Sequence, residues 1–474
     1  MKARASLRSL YVLLGTATIV AASCGSGARP PHVVLFVVDT LRSDRLGCYG
    51  YPRPTSPRID ALAADGALFL DATAQSGWTR PSMVSMFTGR YVTSHRTDVR
   101  DEEETLAETF ARAGYRTIGV VANLGLTRKG GFDDGFDRYE LLDADMPRRK
   151  TVDSDRLTER AFEELDEARE ASPNAPVLLY VHAFFPHAPY FRYASFDAAL
   201  PVDGVPATGP EGWREDVLAE RGLPGPWDDD LRPIDLGRGR YDQEVRFTDR
   251  AFGRLLDGLE ERGLLSDAIV ALVSDHGEGL WDRVGNFAPG KDRGLDADEL
   301  FYMSHGAHLY EEAVRTPFVL WGAGVPARVE STPVENVDLF PTLLELTGVA
   351  GPAGLHGHSL VPLLRGGPAP NRDAVFAHLD HKQVVREIET GLKLTVPGDA
   401  PQSPHHEVEL FDLGADPLER ANLAGEREAD RARLGARLEA WRAAHPSGID
   451  GALDESERDV LEGLGYTETE LGED

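Results

Sequence analysis

Cysteine is nearly missing, with two in 474 residues. Two cannot build a disulfide framework, so the fold must rest on its core. Long apolar runs are scarce as well. The one clear run, Leu10 to Ser23, has about 14 residues, too few to cross a hydrocarbon layer ~30 Å thick. A multi-span membrane protein is therefore excluded. Positive charge is the third shortage. Lys plus Arg number 50 against 79 Asp plus Glu, for a net charge of −29. Such a chain repels polyanions, so no nucleic-acid partner is expected unless a local basic patch overrides the field.

What is present suits a globular enzyme. The chain is 41% hydrophobic and 27% charged, enough to bury a sizeable core and to exclude disorder throughout. At roughly 150 residues per domain the length suggests about three domains, although large α/β enzymes often fold as one or two.

The first residues read as an address. Lys2, Arg4 and Arg8 precede the apolar run, and Val20-Ala21-Ala22-Ser23 leads into Cys24. That is the order of a signal peptide, and it resembles a bacterial lipobox. Residues 1–23 are expected to be removed and Cys24 lipidated, with 24–31 as a short flexible tether. An ordinary cleaved signal with an incidental cysteine is the plainer alternative. The expected location is outside a bacterial cytoplasm, membrane-anchored in the periplasm or at the cell surface. Cys48, the other thiol, reads as a small buried residue.

Continuous β-branched and aromatic runs mark strands buried on both faces: His32–Val38, Thr117–Val121, Val177–Val181 and Ala268–Val273. Helical patterns lie between them, at Thr105–Ala113, Asp155–Ala171 and Arg246–Arg262. Phe247, Ala251, Leu255 and Leu259 form one apolar stripe in the last. Alternating strands and helices predict an α/β fold with a large, mostly parallel, doubly wound sheet. Two segments read as long loops, Phe191–Gly239 and Trp281–Met303. Residues 32–370 are expected to form the main domain. Residues 371–474 are expected to form a smaller α+β subdomain with strands near 391–396 and 408–412 and an acidic helical tail at 427–445.

In such sheets, sites form at the carboxyl ends of strands. Asp39 and the pair Asp275-His276 fall there. The segment Trp78-Thr79-Arg80-Pro81-Ser82 reads as a helix start, with Pro81 in the first turn and Thr79 just before it. Free N–H groups and the positive end of the dipole would favour an anion at Thr79. An N-cap threonine without chemistry is the bland reading. Two carboxylates, an imidazole and a Thr oxygen together make a hard ligand set for a divalent cation, which would activate the Thr hydroxyl. Zinc or manganese suits that set better than calcium, which stays possible.

Several segments together resemble the sulfatase family of the alkaline phosphatase superfamily. They are Val37-Val38-Asp39-Thr40-Leu41-Arg42-Ser43-Asp44, Thr55 to Asp60, Trp78 to Arg90, Ser274 to Glu278 and Val337 to Thr342. Glu409 to Leu423 and Leu461 to Tyr466 follow family habit too. The resemblance implies a large mixed sheet sandwiched by helices, a small C-terminal sheet, and hydrolysis or transfer of phosphate or sulfate esters. By position it makes Asp39, Thr79, Asp275 and His276 metal ligands and Thr79 also the nucleophile. It makes His187 and His305 contacts of the transferred group, whereas as bare sequence either could be structural.

The chain also departs from the family pattern. Sulfatases carry Cys or Ser where Thr79 stands, and an Arg where Met83 stands. The Cys or Ser is oxidised to formylglycine, which Thr cannot yield, because its oxidation gives a ketone. No formylglycine is therefore expected. Asn123 stands where a Lys and His pair is usual, and could donate a hydrogen bond to substrate. A Thr sulfate ester has no aldehyde to collapse into, so a phosphate or phosphonate ester of a small molecule, glycan or lipid is favoured. A membrane-tethered phosphoryl transferase, a sulfatase working without formylglycine and a non-catalytic ester-binding protein remain as alternatives.

Overall fold

The structure, a computed structural model, describes residues 29–92, 97–100, 102–142, 154–206, 213–220, 228–284, 301–398 and 407–445. The lipobox with Cys24 and the Leu461–Tyr466 segment lie outside these residues. The described residues from Pro31 onward form one compact unit.

The main sheet has nine strands among the described residues, in the order β10-β2-β9-β6-β1-β5-β3-β4, with β11 also paired to β2. Its centre is β1 (His32–Val38), flanked in parallel by β5 (Val177–Ala183) and β6 (Ala268–Ser274). Beyond β5 lie β3 (Arg116–Val121) and β4 (Arg138–Leu141), also parallel. On the other side β9 (Arg315–Gly322) runs antiparallel to both β6 and β2 (Ala67–Thr73), which makes the sheet mixed. The edge is β10 (Arg328–Glu330) and β11 (Val334–Glu335).

Strand β1 shows why a continuous apolar run is needed. Val34, Phe36 and Val38 pack into one core cluster with α1 (Pro57–Asp65), α4 (Ser154–Ala171) and α6 (Asp228–Glu261). Val33, Leu35 and Val37 pack into another with α2 (Thr79–Thr88), α3 (Leu106–Arg112) and the Leu339–Thr347 helix. Side chains alternate across a strand, so a sheet covered on both faces must be apolar at every position.

The Phe191–Gly239 loop is overturned in large part. Trp213–Glu220 is a helix, α5, and residues 228–239 belong to α6. Leu231, Ile234, Arg238, Tyr241 and Val245 follow helical spacing, and the last four are buried. Pro233, Gly237 and Gly239 hide that stripe from a reading by composition. Trp281–Met303 is also not loop at its ends. Gly279–Val284 (β7) pairs antiparallel with Phe301–Ser304 (β8), and 285–300 lies outside the described residues.

A second sheet holds β12 (Ala374–Leu379), β13 (Lys382–Glu387), β14 (Leu392–Pro397) and β15 (Glu409–Asp412), all antiparallel. The helix Glu428–Ala444 packs on it through Leu434, Leu438 and Trp441. This helix is not acidic: Arg431, Arg433, Arg437 and Arg442 outnumber Glu428, Asp430 and Glu439.

Candidate active site

Three neighbouring strands end at one place. Asp39 follows β1, Asp275 and His276 follow β6, and His182 is the penultimate residue of β5, in register with Val37. All four side chains are fully buried. Asp39 N–H donates to Ala183 O at 2.9 Å, which ties the end of β1 to β5. Thr40 then adopts φ +54°, a left-handed conformation that is costly for a β-branched residue. The turn delivers Thr40 N–H to Asp275 Oδ1 at 3.2 Å.

Thr79 is the first residue of α2, one position inside the expected boundary. Every residue of α2 is buried, so the helix start is fixed by packing. Ser82 Oγ donates to Asp275 O, which pins the first turn to the β6 loop. Thr79 Oγ1 lies 3.1 Å from His276 Nε2. That nitrogen is 3.7 Å from Asp39 Oδ1 and 3.6 Å from Asp275 Oδ2. His276 Nδ1 sits 2.8 Å from Gly277 O, an acceptor only, so Nδ1 carries the proton and Nε2 keeps its lone pair.

His182 is the residue that sequence reasoning missed. It offers a ligand atom within 4.8 Å of those of Asp39 and Asp275. The signal was a polar residue at the carboxyl end of an otherwise apolar strand. Asp39 Oδ1, Asp275 Oδ2 and His182 Nε2 are buried without a hydrogen bond. Two carboxylates in contact, with imidazole nitrogens beside them, are a donor set that fits a divalent cation.

The electrostatics agree. Burial opposes ionisation of Asp39, but the imidazoles of His182, 3.6 Å away, and of His187 and His276 outweigh it. They hold Asp39 below the usual carboxylate range. Burial, then the charge of Asp39, pushes Asp275 well above that range. Burial, reinforced by His305, lowers His276 to about 3, so the imidazole stays neutral as a ligand must.

His187 and His305 are brought to the same place. Their ring centroids are 4.8 Å apart, and His305 is 4.5 Å from His276. His187 Nδ1 is 2.7 Å from Ala188 O, and His305 Nδ1 is 3.0 Å from Glu278 Oε1. Burial lowers both, His305 to about 4.

Asn123 has a different place from the one expected. Its Nδ2 donates to Asp39 Oδ2, and its Oδ1 accepts from Gly125 N–H at 2.7 Å. Its amide is committed to orienting Asp39. The Thr55–Asp60 and Val337–Thr342 segments are structural as well. Asp60 accepts from Cys48 N–H and Ser56 Oγ, and Asp338 accepts from Glu335 N–H and His358 N–H.

The fold and site define a class: an α/β protein with buried carboxylates and imidazoles that could hold a cation, and a Thr hydroxyl beside them at a helix start. Comparison with known proteins fixes the family. The sulfatase family profile matches residues 31–349, and a profile described as N-sulphoglucosamine sulphohydrolase, C-terminal, matches 304–443. The first match spans more than half of the chain, which therefore belongs to the sulfatase family. Arylsulfatase A of Homo sapiens is 27% identical over 463 residues, covering 84% of each chain. Iduronate 2-sulfatase of Homo sapiens is 28% identical over 420 residues, covering 73% of each. The phosphonate monoester hydrolase of Agrobacterium radiobacter superposes with a TM-score of 0.67 at 20% identity, covering 88% of this chain and 96% of that one. No helix among the described residues is long and apolar enough to cross a membrane.

Proposed function

We propose that this sulfatase-family hydrolase cleaves phosphate or phosphonate esters with Thr79 as nucleophile and a divalent cation held by Asp39, Thr79, Asp275 and His276. The observation that carries this reading is Thr79 Oγ1 at the start of α2, 3.1 Å from His276 Nε2 and beside two buried carboxylates. When bound, the cation would supply Lewis-acid charge that favours the Thr79 alkoxide and the oxygens of the transferred group.

The residues divide the work as follows. Thr79 Oγ1 forms a bond to phosphorus, and the ester oxygen leaves with its electron pair. Water then attacks phosphorus and releases Thr79 with phosphate or phosphonate. The N-terminus of α2 favours the developing negative charge. His187 donates from Nδ1 to Ala188 O, and His305 donates likewise to Glu278 once that carboxyl is ionised, so proton transfer falls to Nε2. There each can take a proton from the attacking water. Asn123 holds Asp39, and His182 Nε2, 3.6 Å from it, is a further donor available to the cation. Thr79 cannot become formylglycine, and a Thr sulfate would need water to attack sulfur. Both points favour phosphorus over sulfur. Zinc or manganese is favoured by the nitrogen in the ligand set. Export and lipidation at Cys24 remain part of the proposal, and the intact mass of the mature chain tests them.

The purified full chain, stripped and reloaded with zinc, manganese or calcium, is assayed on aryl phosphate mono- and diesters, phosphonates and sulfate esters. We expect metal-dependent phosphoester or phosphonate turnover, lost at least 1,000-fold in Thr79→Ala, on the order of other nucleophile removals, and partly kept in Thr79→Ser. Turnover confined to sulfate esters would overturn the substrate assignment. Activity appearing only with an acceptor alcohol would make the chain a transferase.

A further inference from the structure

A second concentration of buried charge lies beside the catalytic loops and takes no part in the chemistry above. Arg42 and Arg45 follow Asp39 in the chain, Arg214 lies on α5 and Arg238 on α6. Arg45 and Arg238 are 1% exposed, Arg42 5% and Arg214 7%. Around Arg45 and Arg238 the facing acids are few among the described residues. Asp242 is buried, and both Arg45 and Arg53 share it. Asp282, 10% exposed, pairs with Arg42. Asp44 and Asp235 are more than half exposed, at 53% and 52%.

Arg238 is the least compensated. Its Nη2 donates to Pro206 O at 2.7 Å, and its nearest carboxylate, Asp235, stands 4.0 Å away towards water. Nε and Nη1 of Arg238, and Nε and Nη2 of Arg45, are buried and meet no hydrogen-bond acceptor among the described residues. Arg238 and Asp242 are one turn apart on α6 and share a face. Arg45 Nη1 reaches Asp242 at 3.5 Å, and the charge of Arg45 acts on Arg238, so the two incompletely satisfied guanidiniums are neighbours. Burial, then the charge of Arg45, pushes Arg238 down to about 10, which still leaves it charged at neutral pH. A buried cation without a counter-charge is costly, and guanidinium forks match small anions.

We propose that Arg45 and Arg238 bind a small anion from solvent, a halide or a tetrahedral oxyanion, as the missing counter-charge of this cluster. The site is separate from the cation site but mechanically joined to it. Arg42 Nη1 donates to Glu278 O at 3.0 Å, and Tyr241 OH bridges Arg42 N–H and Thr40 O at 2.9 and 2.7 Å. Occupancy would therefore stiffen the backbone just beyond both Asp39 and Asp275.

Thermal unfolding of the full chain tests this without any substrate, so it stands or falls apart from the proposed activity. Chloride, bromide, sulfate and phosphate are each titrated against bulky gluconate at constant ionic strength. The melting temperature should rise by a few degrees and saturate. Saturation by chloride and bromide assigns a halide, and saturation by sulfate or phosphate alone assigns an oxyanion. Arg238→Met should flatten the titration and, in gluconate alone, melt above the parent chain, because an uncompensated charge is gone. Superimposable titrations of parent and variant, or a response that never saturates, would sink the proposal. If Arg238→Met does not fold, Arg238→Lys keeps the charge and loses the fork. The half-saturating concentration should then rise at least tenfold, and an unchanged one would overturn the site.

Discussion

At the scale of single residues, the site is built from groups whose meaning depends on a neighbour. Asn123 reads as a substrate donor from sequence, yet its amide is spent on Asp39 and Gly125. It is a positioning residue. Asn123→Ala should weaken metal binding about 10- to 100-fold, the usual cost of losing a group that orients a ligand. Competition with a chromophoric chelator measures that loss, and an unchanged affinity would return Asn123 to substrate contact. His182 makes the complementary case. It lies 3.6 Å from Asp39 Oδ2, with Nδ1 held by Tyr180 OH at 2.8 Å. If it ligates the cation, His182→Ala should lower metal stoichiometry or affinity further than Tyr180→Phe, which removes only the hydrogen bond to its ring.

At the scale of elements, α6 organises one face of the sheet through two contacts invisible in its own sequence. The first is a cap lent to another helix. Ser56, the residue before α1, makes no side-chain cap. Asp249 Oδ1 on α6 instead accepts the N–H groups of Arg58 and Ile59, both at 2.9 Å. Burial raises the Asp249 carboxyl from 3.8 to about 7, against the pull of those N–H groups and of Arg246. The folded chain therefore holds this proton at pH values where the unfolded chain has lost it. Stability should fall as pH rises from 3.8 to about 7 and level off above. Asp249→Asn, which still accepts the same N–H groups, should remove that slope in urea titrations across the window. A slope unchanged in the variant would mean that other groups carry it.

The second contact is a close approach. A Cβ at Gly239 would stand 1.7 Å from Val202 O, a backbone atom that cannot swing aside. Alanine favours a helix interior by about 1 kcal/mol over glycine, but overpacking costs about 1–3 kcal/mol. Gly239→Ala should therefore lower the urea midpoint. A rise would show that the 201–206 segment is not held against α6.

At the scale of the whole molecule, buried charge joins the small sheet to the large one. Lys393 on β14 is fully buried between Glu311, before β9, and Glu419, after β15, at 3.0 and 2.9 Å. Arg283 of β7 donates to Glu419 O at 3.0 Å and lies 3.6 Å over the Tyr310 ring. Removing one member of such a network leaves charges stranded in the interior. Lys393→Met should cost about 3–5 kcal/mol, read by urea unfolding, as for other broken buried pairs. A loss below about 1 kcal/mol would show that water reaches this seam. The proposed cation should have a global effect too, because it would bind only the folded arrangement of Asp39 and Asp275. Chelation is expected to lower the melting temperature, and re-addition to restore it in proportion to the logarithm of metal concentration.

The sequence by itself determined the fold class and the central strands, and it singled out Asp39, Thr79, Asp275 and His276, which the fold brings together. These are properties that local composition encodes: an apolar strand run, a helix start, an acid or Asp-His pair just beyond a strand. His32–Val38 is legible because burial on both faces demands apolar side chains throughout. The tertiary structure alone decided which polar groups meet. His182 joins the site because β5 lies beside β1, and Asn123 faces Asp39 because β3 lies beside β5. Asp249 caps a helix some 190 residues away in the chain. The helix at 228–239 stayed hidden because its Pro and Gly mimic a loop, and only its neighbours explain them, since Trp281 packs on Gly237 and Val202 on Gly239. Propensity is a property of the segment, whereas pairing, capping and charge balance belong to elements brought together by the whole chain.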